Sequence, residues 1–284
     1  MQFHKHALRA GLGLALFVPL ALAATFEDDA PADVADVPSL DLRADDDENM
    51  RYFLIGVDLE KLAKKNKKKE HKLLLVLPGG SGSADFNAFC RRIHKNALSN
   101  DYVMAQLVAP IWSEDQARNH VWPTDKNPNK DMKFSTEEFL DAVLTDVESR
   151  VEIDPEHIYT MAWSSSGPAV YAWSVKKGTR ATGHFISQAV FKPDGMPSLK
   201  GAKGVPYYLH QSPEDKTTAF RFAEEAKKAL EKKGAEVKLV EYAGGHGWHG
   251  NVYGDMRAGV EWLESHHAKA RKRPKSKKKK KKKR

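Results

Sequence analysis

Seven short apolar runs recur along the chain: RYFLIGV (51–57), LLLVL (73–77), YVMAQLV (102–108), HIYTMA (157–162), HFISQAV (184–190), PYYLH (206–210) and VKLVEY (237–242). Several are continuously apolar, without polar alternation, which is the pattern of strands buried on both faces. Helical periodicity fills the intervals. STEEFLDAVLTDVESRV (135–151) opens with a Ser/Thr cap and an acidic first turn. TTAFRFAEEAKKALEKKG (217–234) stops at Gly234, and YGDMRAGVEWLESHHAKA (253–270) follows the last run. Strands alternating with helices predict an α/β domain over 51–268, a mostly parallel sheet with helices on both faces. No internal repeat is present, and no insertion is long enough for a large lid domain.

The ends of the chain read differently. Lys5 and Arg9 precede AGLGLALFVPLALA (10–23), and Ala21-Leu22-Ala23 forms a small-x-small cleavage signal before Ala24. This predicts a signal peptide over 1–23 and an exported protein, whether periplasmic, envelope-associated or secreted. A retained N-terminal anchor is the alternative, although Pro19 interrupts the run and it is short for a membrane span. Residues 24–50, with DDAPADVADVP and RADDDEN, predict a disordered acidic leader, and KLAKKNKKKEHK (61–72) a solvated loop between strands.

Charge changes the picture once its position is read. The formal net charge is +8, yet 271–284 alone carries 12 positive groups, so the body without Lys5 and Arg9 stands near −6. The pattern predicts an acidic globule with a disordered Lys/Arg-rich tail over 269–284, suited to anionic envelope surfaces and to no specific nucleic acid. Its one cysteine, Cys90 in SADFNAFCRRIHK, cannot form an internal disulfide and is expected to be a buried helix residue.

Candidate chemistry lies at the ends of the runs. HIYTMA leads into WSSSG, where one serine could sit on a sharp strand-to-helix turn of the G-x-S-x-G kind. Such a turn needs small flanking residues. Centred on Ser164 the flanks are Ala162 and Ser166; centred on Ser165 one flank is Trp163; centred on Ser166 the serine is already in the helix. Ser164 is the candidate nucleophile. After PYYLH come Glu214 and Asp215, with Asp215 preferred as the acid and Glu214 the alternative. YAGGHGWHG places His246 and His249 in a glycine-rich loop after the last run, with His246 the candidate base. His246 and His249 could also pair on a metal, but no H-E-x-x-H accompanies them. PGGSGS supplies Gly80, with Ser81 as alternative, as one oxyanion donor, and Ser165 N–H as the other. No phosphate-loop or dinucleotide fingerprint is present.

The segments LLVLPGGSGS, IYTMAWSSSGPAVYAWS, LHQSPEDKTTAFRFAEEAKKAL and YAGGHGWHGNVYGDMRAGVEWL together resemble secreted α/β-hydrolases of the esterase type. The closest likeness is to the polyhydroxybutyrate depolymerase, feruloyl esterase and dienelactone-hydrolase-like carboxylesterase group, over about 51–268. Departures are Pro78, where many members carry His, and Ala162 and Ser166 in the turn. The resemblance implies an α/β-hydrolase fold, no cofactor or metal, Ser164 as nucleophile, His246 as base and Asp215 as orienting acid, acting on small-molecule or polymeric esters. A serine peptidase or amidase of the same fold, or a non-catalytic binding protein on this scaffold, are the alternatives. Trp112, Trp122, Trp163 and Trp248 flank these loops and could form an aromatic platform or serve packing.

Overall fold

The computed structural model describes residues 32–60, 69–114, 116 and 120–267. The expected signal peptide, the start of the acidic leader, residues 61–68 of the lysine-rich run and the basic tail lie outside the described residues. No helix among the described residues is long and apolar enough to cross a membrane.

Eight strands form one sheet: β1 (Ser39–Arg43), β2 (Arg51–Ile55), β3 (His71–Leu77), β4 (Tyr102–Leu107), β5 (Ile153–Trp163), β6 (Gly183–Ser187), β7 (Pro206–Gln211) and β8 (Glu236–Glu241). Their order is β1-β2-β4-β3-β5-β6-β7-β8. The pairs β1–β2 and β2–β4 are antiparallel and the remaining pairs parallel. The helices are α1 (Asn87–Ala97), α2 (Thr136–Arg150), α3 (Gly167–Val175), α4 (Arg221–Glu231) and α5 (Val252–Ser265). Each of the seven runs supplies a strand, although residues 188–190 of the fifth run lie beyond β6, and the two-sided burial is visible residue by residue in β3. Leu73, Leu75 and Leu77 face a core shared with Phe139, Val143, Val170, Trp173 and Leu230 of α2, α3 and α4. Leu74 and Val76 face the opposite core with Cys90, Ile93, Met256 and Leu263 of α1 and α5. Period-two side-chain direction on a doubly covered sheet requires both sets to be apolar, hence the unbroken run.

Helix ends follow their local chemistry. Ser135 caps α2 by accepting from the N–H of Glu138, whose carboxylate accepts from the N–H of Ser135 in return; such a cap contributes about 1 kcal/mol. Cys90 is buried in α1, and burial pushes its thiol up, away from reactivity.

The leader departs from expectation. Residues 32–50 are ordered against the domain and contribute the edge strand β1. Val34, Val37, Ala44 and Met50 are buried. Arg91, itself buried, donates from Nη2 to Val34 O at 3.0 Å, and Arg92 and Lys95 of α1 pair with Asp33 and Asp36 at 2.6 and 2.7 Å. Within the sheet Asp41 bridges Arg43 and Arg51. The acidic composition therefore reflects an edge strand and its approach, where charges face outward and find partners, while four spaced apolar side chains reach the core.

A chain beginning at Arg51 should accordingly be much less stable than one beginning at 31, because each buried apolar side chain contributes roughly 1–3 kcal/mol. Thermal melts of the two would decide it; identical melting temperatures would mean that 32–50 contributes nothing to the fold.

Candidate active site

Ser164, Asp215, His246 and Gly80 all follow parallel strands, β5, β7, β8 and β3 respectively, so the topology delivers them to the same edge of the sheet. Ser164 immediately follows β5 with φ 57°, a left-handed conformation that non-glycine residues rarely adopt. The chain then enters a short 3₁₀ turn, Ser164–Ser166, that continues into α3.

The three serines have three distinct partners. Ser164 Oγ lies 3.0 Å from His246 Nε2. Ser165 Oγ donates to Gly80 O at 2.9 Å. Ser166 is buried, with Oγ 2.6 Å from Leu77 O and accepting the Trp163 N–H at 3.1 Å. Ser166 thus rivets the turn to β3, and Ser165 ties it to the neighbouring loop.

His246 Nδ1 is 2.8 Å from Asp215 Oδ2. With Nδ1–H donated to the carboxylate, the Nε2 lone pair faces the Ser164 hydroxyl. Asp215 also accepts from the Thr217 and Thr218 N–H groups at 2.8 Å each, from Gln211 Nε2 at 2.9 Å and from Thr218 Oγ1 at 2.6 Å. Burial by itself would raise this carboxyl. The hydrogen bonds from Thr218, His246 and the two backbone N–H groups outweigh it and hold the group below the ordinary aspartate range. Glu214, the neighbouring carboxylate, is exposed and accepts from Gly244 N–H at 3.2 Å. It fastens the histidine loop, whereas Asp215 touches the imidazole.

The loop 78–82 is fixed from three sides. Trp122 Nε1 donates to Pro78 O at 3.0 Å, Ala109 N–H donates to Gly82 O at 2.9 Å, and Ser165 holds Gly80 O. Gly80 (φ 58°) makes the turn, and a Cβ on Gly79 would lie 2.5 Å from the Trp163 ring. Ser165 N–H stands at the start of a helical turn, where first-turn N–H groups have no intrahelical acceptor. Gly80, Ser164 and Ser165 line one cleft of about 560 Å³ together with Trp122, Val190 and Met196.

Of the four tryptophans near these loops, Trp122 lines the cleft, almost wholly buried. Trp163 and Trp248 pack edge to face at 5.7 Å in the core under α1 and α5, and Trp112 packs on Phe134 at 4.9 Å. Three of the four therefore serve packing. His249 turns its Nε2 to His246 O at 3.3 Å, and among the described residues no group of three or more His, Cys, Asp or Glu is placed to hold a metal ion. Sequence reasoning missed Gln188, Gln211, Ser212 and Thr218, which support the acid and histidine loops. They are ordinary polar residues with no motif around them.

No family model and no curated relative matches the sequence. Solved structures do match by shape. The chain is similar to a carboxylesterase of Bacillus cereus (14% identity, TM-score 0.55, covering 74% of this chain and 100% of that one). It is also similar to a carboxylesterase of Mesorhizobium loti (17% identity, TM-score 0.57, 79% and 98%). A third match is the S-formylglutathione hydrolase of Staphylococcus aureus (11% identity, TM-score 0.59, 80% and 96%). The chain has the α/β-hydrolase fold.

The cleft wall formed by His120, Val121, Trp122 and Thr124 rests on α2, where Thr136 Oγ1 donates to Pro123 O at 2.7 Å. Glu137, in the first turn of α2, is fully buried and accepts the Asp125 N–H at 3.2 Å. Burial, reinforced by the Asp125 charge, pushes its carboxyl up to about 7. Because the folded state holds this proton more tightly than the unfolded chain, its stabilising contribution is present below the ordinary glutamate value and lost as pH rises through about 7. Glu137→Gln should therefore be more stable than the parent at pH 8, by up to about 3 kcal/mol, with the advantage gone at pH 4. Denaturant melts of both proteins at the two pH values test this, and a difference that does not change with pH would refute it.

Proposed function

We propose that this chain is a serine hydrolase that cleaves carboxylic esters through an acyl-enzyme. The observation that carries the reading is the Ser164 hydroxyl, presented on a left-handed turn 3.0 Å from His246 Nε2, with Asp215 2.8 Å from the other imidazole nitrogen. The fold is shared with carboxylesterases from two organisms, which favours esters as the substrate class.

The chemistry runs in two halves. His246 Nε2 takes the Ser164 proton as Oγ adds to the ester carbonyl. The Gly80 and Ser165 N–H groups receive the developing oxyanion, each contributing on the order of 3 kcal/mol at the transition state. The imidazolium, steadied by Asp215, returns the proton to the leaving alkoxide. A water molecule then repeats the sequence on the acyl-enzyme, releasing the acid and restoring Ser164. The cleft walls of Val121, Trp122, Pro168, Val190 and Met196 give the acyl or alcohol group an apolar contact surface.

The protein is further read as exported, on the strength of the sequence at 1–23, and as held on anionic envelope material by its basic tail.

Turnover of p-nitrophenyl acetate and butyrate, beside an aminoacyl-p-nitroanilide, separates esterase from amidase and from a protein that only binds. Ser164→Ala should abolish ester turnover and fluorophosphonate labelling. Ser165→Ala should keep the label with a modest loss of rate, since it removes only the tie to Gly80. Asp215→Asn should cost on the order of 10⁴ in kcat and Glu214→Gln only a few-fold; a label on Ser165 or Ser166 would sink the assignment. Deleting 271–284 should leave turnover of a small soluble ester unchanged while abolishing salt-sensitive retention on anionic vesicles, and loss of that turnover would end the localisation reading.

A further inference from the structure

The loop that carries His246 has little to hold it in place by itself: Gly244, Gly245, Gly247 and Gly250 surround the histidine, all with left-handed φ. Three side chains from neighbouring loops hold its backbone N–H groups, while Tyr242 OH, from within the same stretch, donates to Gly245 O at 2.9 Å. Glu214 accepts Gly244 N–H at 3.2 Å and Ser212 Oγ accepts Gly245 N–H at 3.2 Å, both ahead of the histidine in the chain. On the far side of His246 the tie is Gln188, whose Oε1 accepts Gly247 N–H at 2.6 Å.

Gln188 is unusual in its own right. It follows β6 directly, is buried, and has φ 52°, a conformation that costs a residue bearing a Cβ. Its backbone N–H still bonds to His210 O of β7 at 3.0 Å, and its carbonyl lies 2.9 Å from Thr218 Oγ1, the hydroxyl that also meets Asp215. Gly247 presents a donor, so the amide oxygen of Gln188 must face it, and Nε2 is left buried without a hydrogen-bond partner among the described residues. A strained backbone and an unsatisfied amide persist only where the remaining contacts over-determine the residue. Here those contacts run to the histidine loop through the side chain and to the acid loop through the main chain.

We propose that Gln188 is a positioning residue that sets His246 against both Ser164 and Asp215, a role that rests on the triad reading above. The residue is not among those lining the cleft, so it acts on the placement of the base and not on substrate binding. Its backbone anchors the end of the central sheet, and its amide oxygen holds the one N–H that closes the loop after the histidine. Loss of that acceptor lets the imidazole drift from Ser164 Oγ while the fold remains, and displacement of a catalytic group by about 1 Å costs up to roughly 100-fold.

Three variants separate the parts of this role. Gln188→Met keeps length and removes the acceptor; Gln188→Gly also removes it but relieves the left-handed backbone; Gln188→Glu keeps an acceptor oxygen. With p-nitrophenyl butyrate, Met and Gly should lower kcat by roughly 10- to 100-fold with KM within about twofold of the parent. Gln188→Gly should melt no more than a few degrees below the parent, and Gln188→Glu should recover most of the rate. Amide exchange at Gly247, followed by NMR, should accelerate in Met and Gly and not in Glu. Parent-like kcat in both Met and Gly, or a loss confined to KM, would overturn the proposal. A parent chain that neither hydrolyses esters nor takes a fluorophosphonate, with Gly247 protected in it and released in Gln188→Met, would remove the hydrolase reading and leave the clamp standing.

Discussion

The site depends on holding one ordinary L-residue, Ser164, in the left-handed region at the junction of β5 and α3. Such a conformation costs on the order of 1–3 kcal/mol, and the surroundings supply that and forbid relaxation. β5 ends fully buried between β3 and β6, so the strand cannot shift. The turn leaves no room at its flanks: a Cβ on Gly167 would lie 2.1 Å from that of Ala189. Ala162 and Ser166 occupy the places where two glycines would be the usual choice, and Ser166 turns its extra atom into a bond with Leu77 O. The departure from the glycine pattern adds a rivet to the turn.

What converges on Ser164 is a set of loops, none of which is rigid alone. The parallel strands bring their C-terminal ends to one edge, and cross-ties between loops do the rest. Ser165 meets Gly80, Trp122 meets Pro78, Ser212 and Glu214 meet the glycines before His246, and Gln188 at the end of β6 meets the glycine after it. Asp215 accepts four hydrogen bonds besides the one from His246, so its charge and orientation are settled by its own loop before the imidazole arrives. This is electrostatic preorganisation, built from the same hydrogen bonds that fold the loops.

The opposite edge of the sheet has another logic. β2 runs antiparallel to both its neighbours, and the outermost strand, β1, carries the charges expected of an edge. Its acidic approach is pinned by Arg91, Arg92 and Lys95 on α1, so a segment whose composition suggests disorder becomes part of the domain through partners 57 to 62 residues away in sequence.

The sequence by itself determined the α/β class, the strands β2 to β8 and the residues able to do chemistry after them. Burial on both faces demands unbroken apolar runs, and a strand-to-helix turn demands small neighbours; both are local demands that leave local traces. β1 left no such trace, because a half-exposed edge strand with two arginines on one aspartate looks like any polar segment. Glu214 and Asp215 are adjacent in the chain, and only the packing of the β7 loop under Thr217 and Thr218 buries one and exposes the other. The tryptophans were sorted in the same way, one to the cleft and three to packing, by contacts with residues far along the chain. Gln188 is the extreme case. Its φ, its burial and its bond to Gly247, 59 positions further along the chain, arise as that chain folds back on β6, and hydrogen bonds across such a distance are specified by tertiary structure alone.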